Sequence, residues 1–177
     1  MRYFSCRTSQ YPWFDGVDGL VFSSGKLLAF ALLLTLAGCA GSSQPDPTEV
    51  SFSLGATKGL NPNSKGEPSP AVVQIYELAQ TSVFEGAQFS ELFYDGRKTL
   101  GGDLLGAVAL TLKPGEEITR DYKFSSQTKF LGILVGYRDI ANAKWREVVA
   151  VESEDSNDVV VTVDALSVSV AVDDSWF

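Results

Sequence analysis

The side chains that could perform chemistry are few, and they limit the function classes open to this chain. The sequence has no histidine and only two cysteines, Cys6 and Cys39. A Ser-His-Asp or Cys-His arrangement is therefore impossible, and a zinc site lacks its usual ligands. Glu116 and Glu117 are adjacent and would point to opposite faces of a strand, which suits paired acid-base catalysis poorly. We expect a protein that is not an enzyme and holds no metal.

An acidic segment near the C-terminal part of the chain is the one candidate calcium site. Its carboxylates are Glu152, Glu154, Asp155 and Asp158. The spacing is not that of an EF-hand loop, and no glycine provides the turn such a loop needs. The segment is interpreted as a solvated hairpin loop.

Cys39 stands at the end of a stretch that is typical of a secretory signal. Lys26 precedes a short apolar run, which stops at Ala37 and Gly38 immediately before the cysteine. A membrane span needs about 20 apolar residues, more than this run provides. The run is apolar on all sides, so it does not resemble an amphipathic core helix either.

The ending Leu36-Ala37-Gly38-Cys39 resembles the lipobox of bacterial lipoproteins. The resemblance implies that the signal is cleaved before Cys39, and that a covalent lipid on Cys39 then anchors the protein. In the sorting rule for lipoproteins, an aspartate after the cysteine retains the protein in the inner membrane. Here Ala40 follows, which implies the inner leaflet of the outer membrane, with the domain facing the periplasm. Cys6 leaves with the signal, so no cysteine pair remains for a disulfide.

The first part of the leader fits poorly as the start of a signal peptide. Residues 1–19 include Trp13 and the acids Asp15 and Asp18. A non-standard start codon at Leu20 or Val21 would leave a normal short region before the apolar run. The hypothesis is that residues 1–38 are leader and signal, of which residues 1–19 are not translated.

The remaining chain is acidic and divides into a tether and one domain. Removing the leader's three cations and two acids changes the net charge from -8 to -9. Such a charge argues against nucleic acid and against electrostatic binding to anionic lipid. Residues 39–49 are small, polar and proline-bearing, as in a flexible tether, and residues 50–177 are long enough to form one domain with its own core.

Alternating apolar residues predict an all-β domain of about eight strands. Val50, Phe52 and Leu54 share one face of the first strand. The third and fourth strands are expected to form a hairpin at Pro114-Gly115. The pattern predicts a two-sheet antiparallel β-sandwich, with strands at residues 50–54, 71–78, 108–112, 118–124, 130–137, 144–151, 159–163 and 166–172.

A short helical insertion is predicted between the second and third strands. Ser82 and Glu85 have the spacing of a capping box, and Asp95-Gly96 would end the helical pattern. Its aromatic residues are expected to pack on the sandwich; the alternative is a ligand pocket lined by Phe84, Phe89, Phe93 and Tyr94.

The connection over residues 56–70 is long for a compact domain. Loops of this length are uncommon and often functional. Three prolines limit its conformations, and the cations Lys58 and Lys65 lie beside the apolar Leu60. From composition alone, a binding loop and a passive solvated loop are equally consistent with it.

Several short blocks share their order and spacing with a known family. They include Leu60-Asn61-Pro62, Ile75-Tyr76-Glu77-Leu78, Asp103-Leu104-Leu105, Phe130-Leu131-Gly132, Gly136-Tyr137-Arg138-Asp139 and Trp145-Arg146. Following a lipobox in this order, they resemble the type VI secretion outer-membrane lipoproteins, the TssJ (VasD/SciN) family. One departure is Gln74, where the family pattern has a basic residue.

The resemblance implies a fold, a role and a binding site. The fold would be a transthyretin-like β-sandwich with an added helical segment. The role would be to anchor the secretion system's membrane complex by binding the periplasmic C-terminal region of TssM, alongside a TssL-like inner-membrane protein. The loop after the first strand would make the contact, through Lys58, Gly59, Leu60, Asn61, Pro62, Asn63, Ser64, Lys65 and Gly66. The alternative is a periplasmic binding or chaperone lipoprotein that uses a sandwich groove or an open edge strand.

Overall fold

Two four-stranded sheets form the domain in the computed structural model, which describes residues 44–173. One sheet has the strand order β4-β1-β7-β8 and the other β3-β2-β5-β6. The all-β, two-sheet prediction with eight strands is confirmed. The strands are β1 (Thr48–Ala56), β2 (Ala71–Leu78), β3 (Leu104–Leu112), β4 (Glu117–Phe124), β5 (Phe130–Gly136), β6 (Arg146–Ala150), β7 (Ser156–Val163) and β8 (Val168–Val172).

The strand pairs are antiparallel with one exception. β1 pairs in parallel with β7, from Glu49 opposite Ser156 to Ala56 opposite Val163. Parallel neighbours need a long crossover, and here all the intervening strands and helices provide it. β7 and β8, which Asp164-Ala165 separates, are antiparallel neighbours and form a hairpin.

The predicted hairpin at Pro114-Gly115 is wrong. β3 and β4 lie in different sheets, so the turn between them carries the chain from one sheet to the other. Gly115 has a φ of 74°, which favours glycine, and its N–H donates to Thr57 O at 3.1 Å. The acidic segment is likewise a crossover from β6 to β7 rather than a hairpin loop.

The main core lies between the sheets and is built by alternating residues, as predicted for β1. Val50, Phe52 and Leu54 are buried there, and Ile133 of β5 and Val161 of β7 belong to the same cluster. Each such side chain contributes about 1.5–3 kcal/mol on burial.

Two helices cover the outer face of the β3-β2-β5-β6 sheet. They are α1 (Ser82–Gly86) and α2 (Phe89–Leu100), followed by a 3-10 turn, Gly101–Asp103. Their buried side chains form a second cluster with β2 and β5, so β5 is covered on both faces. The cluster comprises Tyr76, Leu78, Phe84, Leu92, Leu100 and Leu134.

The predicted capping box at Ser82 is wrong, because no side chain caps α1. The box lies at the start of α2, where Gln88 N–H donates to the Glu91 carboxylate at 2.8 Å. The helix also continues past Asp95-Gly96 to Leu100, with a non-helical φ of -125° at Asp95.

The leader, the signal, Cys39, the tether up to residue 43 and the last four residues lie outside the described residues. Residues 44–47 are exposed and have no regular structure, and β1 begins at Thr48. None of the helices in residues 44–173 has the length and apolar character that crossing a bilayer requires.

Candidate functional site

The β1–β2 loop, residues 57–70, lies at the end of the sandwich opposite to the point where the chain enters it. The chain enters at Thr48 and leaves β1 at Ala56, eight residues later. At about 3.3 Å per residue, the two ends of this strand are about 26 Å apart. The β1–β2 loop shares its end of the sandwich with the Pro114-Gly115 turn, through the bond from Gly115 N–H to Thr57 O.

Asn61 joins three segments at the base of the loop. It is 3% exposed, with a φ of 48° that asparagine tolerates better than most residues. Its N–H donates to Ala165 O at 3.0 Å. Its side-chain Nδ2 donates to Pro70 O at 2.8 Å, and its Oδ1 accepts the Arg138 N–H at 2.8 Å. The bonds fix both ends of the loop to the body of the sandwich.

A second connection joins the start of the loop to the β7–β8 turn. Thr57 Oγ1 donates to Asp164 Oδ1 at 2.7 Å, and Thr57 N–H donates to Val163 O. The bond from Thr57, with a further one from Ala165 N–H, lowers the pKa of the Asp164 carboxyl. Burial, together with the charge of Asp164, raises the pKa of the Tyr137 hydroxyl, so that group stays neutral.

The tip of the loop is exposed and internally ordered. Asn63 Oδ1 accepts the N–H groups of Lys65 and Glu67 at 2.8 and 3.0 Å. Asn63 Nδ2 donates to the Glu67 carboxylate at 2.8 Å, and Gly66 turns the chain at a φ of 81°. This Asx-type arrangement holds one conformation without core packing. A partner therefore meets a pre-ordered surface, which reduces the entropy lost on binding.

The structure divides the nine predicted loop residues into a base and an exposed part. Leu60 is completely buried in the main core, and Asn61 is buried beside it. Pro62 and Asn63 are half-buried. The residues exposed at the surface are Lys58, Gly59, Ser64, Lys65 and Gly66.

Sequence reasoning missed the cleft beside the loop tip. Pro62 and Ser64 line one side of it and Arg138 and Leu166 the other, around a volume of about 520 Å³. Arg138 and Asp139 form no ion pair with each other within residues 44–173, and Asp139 accepts from Asn142 Nδ2 at 2.8 Å. Only the tertiary fold brings residue 138 to the loop, so no local pattern could have indicated the cleft.

The aromatic residues of the helical insertion pack on the sandwich, as expected, and of the four named for a ligand pocket Phe93 also lines a groove between α2 and β3. Phe84 is fully buried, and Phe89 stacks on Phe93 with ring centres 5.0 Å apart. Phe89 also meets Trp145 edge-on at 5.3 Å. Tyr94 is the exception, with 75% of its surface exposed.

Arg146 ties the first helix to the sheet. Its Nη1 donates to Phe84 O at 2.8 Å and to Ala87 O at 2.7 Å, and its guanidinium lies 4.6 Å from the centre of the Trp145 ring. Arg146 thus satisfies carbonyl groups at the end of α1. Within residues 44–173, no three Cys, Asp or Glu side chains are grouped closely enough to hold a metal ion.

Comparison with known proteins identifies the family. The profile of the family described as "Type VI secretion lipoprotein, VasD, EvfM, TssJ, VC_A0113" matches residues 48–166. The chain belongs to the type VI secretion lipoprotein family. The crystal structure of TssJ1 from Pseudomonas aeruginosa is 32% identical, with a TM-score of 0.69 over 71% of this chain and 96% of that one.

Two further structures share the fold. Serratia marcescens Lip, a membrane-bound component of the type VI secretion system, is 18% identical with a TM-score of 0.65 over 71% of this chain and 96% of its own. A chain in the structure of the TssM C-terminal domain from EAEC is 22% identical, with a TM-score of 0.58 over 70% of this chain and 97% of that one. Among curated proteins, none matches significantly.

Proposed function

We propose that this type VI secretion lipoprotein anchors the system's membrane complex at the outer membrane by binding the periplasmic C-terminal region of TssM through residues 56–70. The observation that carries the proposal is the pre-ordered, exposed tip of the β1–β2 loop, held on a base of buried Leu60 and Asn61. Family membership supports it. So does the occurrence of a similarly folded chain in a structure of the TssM C-terminal domain.

The positions of the tether and the loop suit a link with two ends. The tether to Cys39 joins the domain at the Thr48 end of β1, and the β1–β2 loop follows Ala56 at the other end. Nine tether residues span at most about 30 Å. Acyl chains on Cys39 would hold the first end at the membrane, where stable anchoring takes two or more chains. The loop would face a TssM-like partner, itself in a complex with a TssL-like inner-membrane protein.

The loop end exposes cations that acidic groups of the partner would complement. Lys58, Lys65 and Arg138 are exposed there, interspersed with the acids Glu67, Asp139 and Asp164. Pairing of the partner's acidic groups with these cations would accelerate association, and salt would weaken this effect.

The decisive experiment measures binding of the mature domain to the periplasmic region of the cognate TssM by calorimetry. Replacing residues 63–67 with two glycines removes the ordered tip and retains the buried Leu60 and Asn61. We expect this variant to unfold at nearly the wild-type temperature and to lose binding. Undiminished binding would contradict the loop assignment.

A matched pair of charge reversals tests the location of the contact. Lys65→Glu lies in the loop tip, and Lys129→Glu lies near the opposite end of the sandwich; both side chains are exposed. We expect the affinity to fall in Lys65→Glu and to remain unchanged in Lys129→Glu. Equal losses in the two variants would indicate a non-specific charge effect and contradict a contact at the tip.

A further inference from the structure

Strand β3 presents an open edge. It pairs with β2 on one side, and within residues 44–173 no strand pairs with its other side. Its sequence, from Leu104 to Leu112, is LLGAVALTL, with neither a charged residue nor a proline. A long uncharged edge of this kind exposes N–H and C=O groups that can pair with another extended chain.

Two of the other edge strands of the described domain carry charged side chains, which β3 lacks. β4 contains the charged residues Glu117, Arg120, Asp121 and Lys123. Arg120 pairs with the inward-facing Phe52 of β1, so it occupies an inward-facing position of the strand. An inward charge on an edge strand is a device against unwanted pairing. β6 begins with the charged pair Arg146-Glu147.

β8 is also uncharged, but it is only five residues long. Its beginning is already bonded, because Val168 N–H donates to Lys144 O at 3.0 Å. Within residues 44–173, β3 is therefore the long edge without a charged residue. Its pairing register with β2 shifts between Glu77 and Leu78, at the start of β3, and is regular from Gly106 to Leu112.

A groove runs along the outer face of this edge. Ala107 and Ala109 of β3, Gln74 of β2, and Gly96 and Arg97 of α2 are among the residues lining it. Its volume is about 190 Å³. An apolar cavity of about 150 Å³ accepts benzene, so the groove has room for one aromatic side chain.

Small residues line the groove on both sides. Ala107 and Ala109 are exposed and stand opposite Tyr76 and Gln74 in the β2–β3 register. A Cβ added to Gly96 would lie 2.8 Å from the Tyr76 ring, so α2 approaches the sheet closely here only because residue 96 is glycine.

We propose that the β3 edge binds an extended segment of a partner protein as an added strand. Alternate side chains of that strand would point to the outer face, and a large apolar one would fill the groove beside Ala107 and Ala109. An acidic side chain of the same segment would pair with Arg97. The surface is separate from the β1–β2 loop, so either proposal can fail without the other.

Arg97 supplies the charge complementarity. It lies in the groove lining and is exposed, and no ion pair holds its guanidinium in the part of the chain described. On a chain with 22 acidic and 14 basic residues, an unpaired exposed arginine beside an uncharged edge favours an acidic partner segment.

A second copy of this chain fits the edge less well. In a β3-to-β3 pairing, the outer-face residues offered to each groove would be Ala107, Ala109 and Thr111, which are too small to fill it. The net charge of -8 on each copy adds repulsion.

The test uses the mature lipidated protein in nanodiscs and a panel of fluorescein-labelled nine-residue peptides, read by fluorescence anisotropy with empty nanodiscs as the blank. The peptides alternate Thr with Phe or Val and carry one Glu at successive positions. We expect one peptide of the panel to bind best. In that peptide, changing one Phe to Ala, or the Glu to Lys, should weaken binding about tenfold. N-methylation of the amides along one edge of that peptide should abolish binding, while N-methylation along the other edge should not.

Protein variants locate the site. Ala109→Lys places a charge on the open edge and is expected to weaken binding about tenfold, whereas Thr119→Lys on the edge strand β4 should have no effect. Arg97→Glu should reverse the preference between Glu and Lys peptides. Lys98→Glu is the control, since it lies on the same helix but does not line the groove.

Three results would overturn the proposal. The first is binding that tolerates N-methylation on both edges, and the second is binding that survives Ala109→Lys. The third is the absence of peptide binding together with a dimer, seen by sedimentation velocity, that Ala109→Lys dissociates. In that case the occupant of the edge is a second copy.

Discussion

At the scale of single residues, Asn61 and Asp164 determine how the β1–β2 loop is held. Asn61 is buried and bonded to Ala165, Pro70 and Arg138, and Asp164 accepts from Thr57. Both residues act on backbone or side chains far away in sequence. The loop is therefore a fixed extension of the sandwich rather than a mobile connection.

Asn61→Ala is expected to reduce the free energy of unfolding by about 2–5 kcal/mol. The substitution removes the hydrogen bonds to the Arg138 N–H and the Pro70 carbonyl, which are part-buried and contribute about 0.5–1.5 kcal/mol each. It also places alanine at a positive φ, which costs about 1–2 kcal/mol. Asn61→Gly should recover only this backbone part. Urea unfolding of the wild type, Asn61→Ala and Asn61→Gly measures the hydrogen-bond and the backbone contributions. If Asn61→Ala were as stable as the wild type, Asn61 would not be what holds the loop base.

The pKa of Asp164 should rise toward its ordinary value in Thr57→Val. The bond from Thr57 lowers the folded-state pKa, so it contributes stability above the unfolded-state pKa, and this contribution is lost as the pH falls through the folded value. NMR titration of the carboxyl carbon measures the shift. An unchanged Asp164 titration in the variant would mean that Thr57 is not its cause.

The residue-level part of the site shows the limit of sequence reasoning. Alternation in β1 predicted which side chains face the core, because one face of a strand is buried. Leu60 stands in a proline-rich, polar stretch with no period, so nothing local indicated that it is fully buried. It belongs to the main core cluster, whose members come from both sheets and which only the tertiary fold brings together.

At the scale of elements, glycines in the sheet allow the helical insertion to pack closely on it. A Cβ on Gly132 of β5 would lie 2.7 Å from the Phe84 ring, and one on Gly136 would lie 2.8 Å from Phe93. The helices can approach the sheet because these positions have no side chain. Such close approach is where overpacking is costly.

Gly132→Ala is expected to destabilise the domain by about 1–3 kcal/mol, because the added methyl group displaces the Phe84 ring. Gly55→Ala is the matched control in β1: the nearest atom to its added Cβ is 4.0 Å away, so its stability should stay within about 1 kcal/mol of the wild type. Chemical denaturation followed by tryptophan fluorescence compares them. Equal effects of the two substitutions would refute the close-packing explanation.

Element prediction from sequence succeeded for strand positions and failed for strand partners. A period-two pattern identifies the face that each residue occupies, but it does not identify the neighbouring strand. Pro114-Gly115 was expected to close a hairpin for that reason, whereas it links the two sheets. The capping box was assigned to Ser82 on residue type, although Gln88 and Glu91 form it where α2 leaves the extended chain.

At the scale of the whole molecule, the proposed function separates attachment from binding. The lipid would act at Cys39 and the partner at the β1–β2 loop, with the folded domain between them. The two activities should therefore be lost independently.

Cys39→Ser is expected to abolish outer-membrane attachment and to leave the fold and TssM binding intact. Metabolic lipid labelling and membrane fractionation report the first effect, and calorimetry with the soluble protein reports the second. A Cys39→Ser protein that stayed in the outer-membrane fraction would contradict the assignment of the anchor.

The parallel pairing of β1 and β7 has a mechanical consequence. A pull between the tether and the loop acts along β1, which lies between β4 and β7 and is in register with eight residues of each. The hydrogen bonds on both sides of β1 are then loaded at the same time, in shear. They cannot break one after another, as they would if the strand were peeled from one end. The force needed to extract β1 by pulling along its length should therefore exceed the force needed to detach β8 by pulling it sideways from the sheet edge.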